Sequence, residues 1–210
     1  MKAIVRTLAD LGPSLTLAPE RHLAARLGGG GGTSLASLAS LVTERNERVV
    51  GAELARAVVL DTTHAKDGVL DVPAARASAP ATSAKKRVRE GDLLVSRLRP
   101  YLRQIALAHP ASVAAAGGAT LACSTEFYVL SPRHGDDLAY LVPLLLGAAP
   151  QAALAAGQEG GHHPRVPKET LLGLRVPSRL VRERAARSRA VRAALGALYA
   201  AAARYRTLLR

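Results

Sequence analysis

The chain has 210 residues, 49% apolar and only 3% aromatic, which suits one medium domain whose core is built from Leu, Val and Ala. Its formal charge is +13, and a single cysteine excludes an internal disulfide. No apolar run reaches the roughly 18 residues a membrane helix needs, and the opening MKAIVRTLADLGPSL lacks the clean apolar stretch of a signal peptide, so the chain reads as cytoplasmic with no membrane contact.

In chain order, Pro19 is placed to open a short helix in APERHLAARL, and the five glycines from Gly28 form a flexible joint. No lysine follows them in the phosphate-loop position, and no other cofactor motif is present. Residues 1–33 therefore read as an N-terminal extension. From Ser34, Leu35, Leu38 and Leu41 recur at helical spacing and predict a short amphipathic helix. AVVLDTTHAKDGVLDV predicts strand, turn and strand, with Asp67-Gly68 as the turn. A small-residue loop then runs into KKRVREGD, where Val88 sends one apolar side chain inward among charges.

GDLLVSRLRPYLRQIAL predicts two strands around an arginine loop, because Pro100 cannot donate to a ladder and the chain must leave the sheet there. ASVAAAGGA reads as a loop and LACSTEFYVLS as the best strand in the chain. DDLAYLVPLLLGAAPQAALAAG reads as a helix, with Asp136 and Asp137 at its start and Pro143 at a boundary or kink. QEGGHHPRVPKE is loop and TLLGLRVPS a last short strand. From Val181 to Arg210 one long helix is predicted. Val191, Leu195, Leu198, Ala202, Tyr205 and Leu209 form an alternating three-and-four seam, which fails at Arg184 and Ser188.

No catalytic or metal site emerges. Cys123 lies in a strand-like run and reads as a small buried hydrophobe. His162 and His163 are adjacent in a glycine loop with no third ligand at zinc spacing. Asp136 and Asp137 read as helix-start carboxylates, and Glu126 lacks the acidic and lysine neighbours a nuclease strand requires. The charge is more informative. Residues 85–103 hold 7 basic and 2 acidic groups and residues 175–210 hold 10 and 1, so two segments carry the whole excess over a near-neutral body. Charge concentrated in this way points to a polyanion. Arg97, Arg99 and Arg103 project from a proline-stiffened loop, and arginine binds phosphate or reads guanine edges. Few aromatics argue against single-strand stacking, hence against RNA.

VREGDLLVSRLRPYLRQIAL, then CSTEFYVLSPR, then GQEGGHHPRVPKETLLGLRVPS resembles the target-recognition domain of type I restriction–modification specificity subunits, and LDTTHAKDGVLD resembles that family's upstream strand-turn-strand segment. The resemblance covers roughly residues 35 to 180. It implies an α/β (α+β) mixed-sheet recognition domain over residues 34–180, followed by a long coiled-coil-like dimerisation or docking helix over residues 181–210. It implies a non-catalytic, half-subunit-like protein that reads duplex DNA for a DNA adenine methyltransferase and a nuclease, and that dimerises to present two half-sites. The expected DNA-binding set is Lys85, Lys86 and Arg87 on phosphates, Arg97, Arg99, Tyr101 and Arg103 at the groove, and His162, His163 and Arg165 on a second loop. The expected partner seam is Val191, Leu195, Leu198, Ala202, Tyr205 and Leu209. No metal or cofactor is expected. The alternative is a protein-binding adaptor in a defence complex that reuses the same fold.

Overall fold

The computed structural model describes residues 35–78, 81–160 and 164–209. The extension over residues 1–33, His162 and His163 lie outside the described residues. The chain begins with strand β1 (Leu35–Ser37), a single helical turn α1 (Leu38–Leu41), β2 (Val42–Glu44) and β3 (Arg48–Val49). The amphipathic helix expected from Ser34 is thus one turn between strands. Leu38 is fully buried and Leu35 exposed, so the leucine spacing reflects separate contacts and not one helical face.

Helix α2 (Gly51–Ala55) leads to β4 (Val58–Leu60), a 3-10 turn at Thr62–His64, β5 (Ala65–Lys66), β6 (Val69–Leu70) and α3 (Val72–Arg76). β5 and β6 form the expected hairpin. Both its turn residues have positive φ, +49° at Asp67 and +93° at Gly68, as a two-residue hairpin loop requires. A side chain at Gly68 would also meet Val142 Cγ1 at 3.0 Å.

β7 (Lys85–Arg87), β8 (Leu93–Ser96), a 3-10 turn at Pro100–Leu102 and β9 (Ile105–Leu107) follow. β8 and β9 pair antiparallel, with Leu94 opposite Ala106, as the two-strand reading of this stretch predicts. Helix α4 (Pro110–Ala114) occupies part of what reads as a loop. Pro110 suits its first turn, and His109 Nδ1 accepts from the Ala111 N–H at 3.1 Å as a cap.

The expected single strand LACSTEFYVLS is two: β10 (Leu121–Cys123) and β11 (Phe127–Pro132), which belong to different sheets. The expected single helix is also two, α5 (Leu141–Leu145) and α6 (Ala148–Ala156). The break falls at the extended Gly147, while Pro143 sits in the first turn of α5, where its missing N–H has no intrahelical acceptor to lose. Helix α7 (Lys168–Leu172), β12 (Arg175–Pro177), α8 (Ser178–Arg182) and the 25-residue α9 (Arg184–Leu208) complete the described chain.

Two four-stranded sheets, in the orders β3-β7-β10-β4 and β2-β11-β8-β9, carry the fold, with β4 and β10 parallel and the other pairs antiparallel. The unbroken apolar run of β8 has a direct cause. Leu93 and Val95 face a core roofed by Leu138, Leu141, Leu145 and Leu154, while Leu94 faces a second core with Leu60, Cys123, Phe127 and Val129. A strand covered on both faces needs apolar residues at every position.

Gly91-Asp92, which precedes this strand, is a framework device. Gly91 has φ +84°. The buried Asp92 carboxylate accepts from Arg45 Nε at 3.1 Å, the Arg89 N–H at 2.8 Å and Ser131 Oγ at 2.8 Å, so it is fully engaged within the domain.

Candidate nucleic-acid interface

The β8–β9 hairpin sends its loop to the edge of the β2-β11-β8-β9 sheet. There the loop separates into two regions, one recessed and one protruding.

The recessed region is a cleft of about 660 Å³ lined by residues from distant segments, among them Glu44, Asn46, Arg48, Lys86, Arg97, Thr125, Tyr128, Arg165, Lys168 and Glu169. Its wall is built by backbone pairing. The Arg97 N–H donates to the Glu126 carbonyl at 2.8 Å, the Val166 N–H donates to the Arg97 carbonyl at 2.9 Å, and Leu98 bridges Arg165. Tyr128 Oη donates to the Val166 carbonyl at 2.8 Å and so fixes the same wall from below. Burial pushes the Tyr128 phenol up, which keeps it a neutral donor.

Three of the expected DNA-binding residues meet here, in different electrostatic states. Lys86 is buried. Its ammonium donates to Glu44 at 2.9 Å and to the Phe127 carbonyl at 2.8 Å. Glu44 also receives Lys168 at 3.0 Å. Burial raises the Glu44 carboxyl, but the two lysines outweigh it and hold its pKa below the usual carboxylate value. Lys86 is thus an internal counter-ion, a correction to its assignment as a phosphate contact. Arg165 forks onto Glu126, with Nη2 to Oε1 at 2.7 Å, and this pair braces the loop that precedes α7. Glu126, weighed as a nuclease carboxylate, is occupied in that pair.

Arg97 is different. Its guanidinium carbon lies 5.3 Å from the Tyr128 ring centroid, a cation–π contact, and it makes no ion pair among the described residues. Its Nε is buried without a hydrogen-bond partner.

The protruding region is the 3-10 turn at Pro100–Leu102. Arg99 and Arg103 flank it in the left-handed region, at φ +43° and +56°. Non-glycine residues there cost on the order of 1–3 kcal/mol each, so surrounding bonds must hold them. The Leu102 N–H donates to the Arg99 carbonyl at 2.9 Å, and the Arg103 side chain reaches Asp67 and, at 2.9 Å, the Leu146 carbonyl. Arg103 is therefore a strut for the turn, not a free cation. Arg99 and Tyr101 are exposed, Tyr101 by 69%. Of the first basic cluster, Lys85 donates to Ser83, and Arg87 is held by Glu47 and Glu53. Cys123 is fully buried, and burial pushes its thiol up to about 12, which keeps it protonated and unreactive.

Helix α9 docks on the domain through both ion pairs and apolar contacts. Arg184 pairs with Asp136 at 2.9 Å and Arg192 with Asp137. Ser188, where the seam fails in sequence, is the most buried residue of the helix and is bonded to the Tyr140 N–H and the Asp137 carbonyl. Val191 and Leu195 pack into the domain's own core, a correction to their assignment to a partner seam. Tyr199 Oη accepts from the Leu70 N–H at 2.7 Å, and its ring stacks on His109, whose Nε2 is 3.1 Å from the Arg192 carbonyl. Ala202 is half-buried, while Leu198, Tyr205, Leu208 and Leu209 are exposed.

No family model and no curated protein matches the sequence. Solved structures do. A chain from a structure of complex assembly and conformational transition of the type I R-M system matches with a TM-score of 0.52 at 22% identity, over 85% of this chain and 45% of that one. The chain shares its α/β fold with that chain of a type I R-M system. The HsdS subunit from Thermoanaerobacter tengcongensis matches over 87% of this chain and 44% of its own, at 14% identity and a TM-score of 0.43. This chain spans less than half the length of either solved chain.

Within this fold, the cleft residues missed by sequence reading include Asn46, Arg48, Thr125, Tyr128, Lys168 and Glu169. Asn46 and Arg48 carry no local signal, since the fold alone brings them to the cleft. Tyr128 had one: it alternates with Phe127 in a strand, so one of the two rings must face away from the other.

Proposed function

We propose that the protein is a non-catalytic, sequence-specific duplex-DNA recognition module that acts in the cytoplasm and directs a DNA adenine methyltransferase, and with it a nuclease, to a site. The observation that carries this reading is the rigid arginine loop. Arg97 and Arg99, neither of them in an ion pair among the described residues, lie on a loop with a braced turn, in a fold shared with a chain of a type I R-M system. A loop already held in its final shape loses little entropy on docking. Lys85, Arg99 and Tyr101 then contact the phosphate backbone, and Arg97 and Arg165 line the cleft.

The exposed end of α9, with Leu198, Tyr205, Leu208 and Leu209, supports pairing with a second copy, giving two half-sites on one duplex. The same surface favours the second reading, a protein-docking adaptor that needs no DNA.

The test is selection of the purified protein against a randomised duplex library at two salt concentrations, with the mass determined in parallel. A discrete enriched motif supports DNA recognition, and a bipartite motif with a dimer mass supports pairing. Motif-free binding that collapses with salt reports phosphate contacts alone and favours the adaptor reading.

A further inference from the structure

The cleft and the turn, although parts of one loop, offer different chemistry. At the turn, Arg99 is an exposed cation beside an exposed Tyr101, with no carboxylate paired to it among the described residues. In the cleft, Arg97 stands among charges of both signs and neutral hydrogen-bonding groups: Arg48 and Lys168, Glu159 and Glu169, Thr125 and Asn46 line the same space. Carboxylates facing a phosphate repel it, so a cleft of mixed sign is a poor phosphate cradle. A base edge presents donors and acceptors together, and a surface of mixed donors and acceptors is what reads one.

Three further observations single out Arg97. It is the cleft-lining arginine held over an aromatic ring, which fixes where its fork points. Its Nε is buried, so a ligand can approach the guanidinium only through its terminal nitrogens. Its backbone is bonded on both sides, to Glu126 and Val166, so the side chain springs from a fixed base. By contrast, Lys86 and Arg165 are neutralised by Glu44 and Glu126.

We propose that Arg97 is a specificity-determining residue that reads the paired acceptors of a guanine edge, with Tyr128 as its positioning plate, and that Arg99 contacts the phosphate backbone. This rests on the duplex-recognition reading above. A terminal guanidinium fork matches the O6 and N7 acceptors of guanine, the commonest specific contact an arginine makes. Lysine keeps the charge but not the planar fork, so Arg97→Lys separates geometry from charge.

The experiment takes the motif selected by the wild-type chain and measures affinity for it and for single-base changes, across a salt series. The variants are Arg97→Ala, Arg97→Lys and Arg99→Ala, each checked for an unchanged thermal transition. Both Arg97 variants lose discrimination at one guanine position by roughly ten- to a hundredfold. Arg97→Lys keeps the wild-type salt slope. Arg99→Ala weakens all sequences alike and lowers that slope by about 1. If Arg97→Ala weakens matched and changed sites equally, Arg97 is a phosphate contact and the proposal is wrong. The proposal also fails if Arg97→Lys discriminates as the wild type does. A wild-type chain that selects no motif overturns the duplex-recognition reading and this assignment with it, whereas the other two failures leave that reading standing.

Discussion

Two segments carry the basic excess, residues 85–103 and 175–210, and the fold uses them differently. In the first, Lys86, Arg87, Arg89 and Arg103 are drawn into ion pairs with the domain's own carboxylates, which leaves Lys85, Arg97 and Arg99 without one among the described residues. In the second, Arg184 and Arg192 clasp Asp136 and Asp137, and Arg179 and Arg187 share Glu183. Arg189, Arg204 and Arg206 have no ion pair among the described residues, and they lie on exposed stretches of a helix beside an apolar end. High local charge is therefore partly internal mortar and partly surface. The unpaired cations Arg97 and Arg99 sit on the loop beside the cleft, whereas Arg189, Arg204 and Arg206 sit on α9.

The largest effect expected from this contrast is at Lys86. Arg99 and Lys86 are both basic residues of one segment, but Lys86→Ala leaves Glu44 buried with half its compensation. It should lower the unfolding free energy by about 3 kcal/mol, measured by urea titration. Arg99→Ala should leave that titration unchanged. The helix yields the next contrast. Leu195→Ala should cost about 3 kcal/mol because its side chain is buried in the core, while Leu198→Ala, three residues on and exposed, should cost less than about 0.5 kcal/mol in the monomer. Equal losses would mean that the helix faces are misassigned.

A smaller effect follows from pH at the helix seat. Burial, the main cause, holds the His109 pKa below its usual value. Nδ1 accepts from the Ala111 N–H while Nε2 faces the Arg192 carbonyl, an arrangement that needs the neutral ring. A depressed folded-state pKa contributes stability that is present above the unfolded value of about 6.5 and is lost as pH falls through the folded value. The thermal midpoint should therefore drop on acidification from about pH 7.5 to about pH 5, and His109→Gln should flatten that part of the profile. Glu44, also depressed, should lose its contribution at lower pH, below the usual carboxylate range. Smallest of all, Glu183→Gln should produce no resolvable change in the midpoint, since exposed ion pairs on one helix face contribute little.

These contrasts also show what was legible in the sequence. The hairpin at Asp67-Gly68 was, because only residues tolerant of positive φ fit its turn. The two strands around Pro100 were as well, because an apolar run on each side of a donor-less residue leaves few alternatives. The division of LACSTEFYVLS between two sheets was not, since both halves are equally apolar and the separation depends on which partner strand each meets. The docking of α9 was hidden for a related reason. Its anchor is Ser188, a polar residue whose burial is balanced by bonds to Tyr140 and Asp137, and no periodicity of apolar residues marks such a position. In the site, Arg97 and Arg165 were visible as charges. That one is neutralised and the other is not depends on Glu126 and Tyr128, which meet Arg165 and Arg97 from a segment some 30 residues away in sequence from Arg97.

The central claim is that the cations of the arginine loop recognise DNA and those of the helix do not. The most direct measurement compares two doubly substituted chains that lose the same charge, Arg97→Ala with Arg99→Ala and Arg204→Ala with Arg206→Ala, by footprinting on the selected duplex. The account predicts that the loop pair abolishes sequence discrimination with the fold intact, while the helix pair leaves the footprint in place. Loss of the footprint in the helix pair together with an unchanged footprint in the loop pair would contradict it.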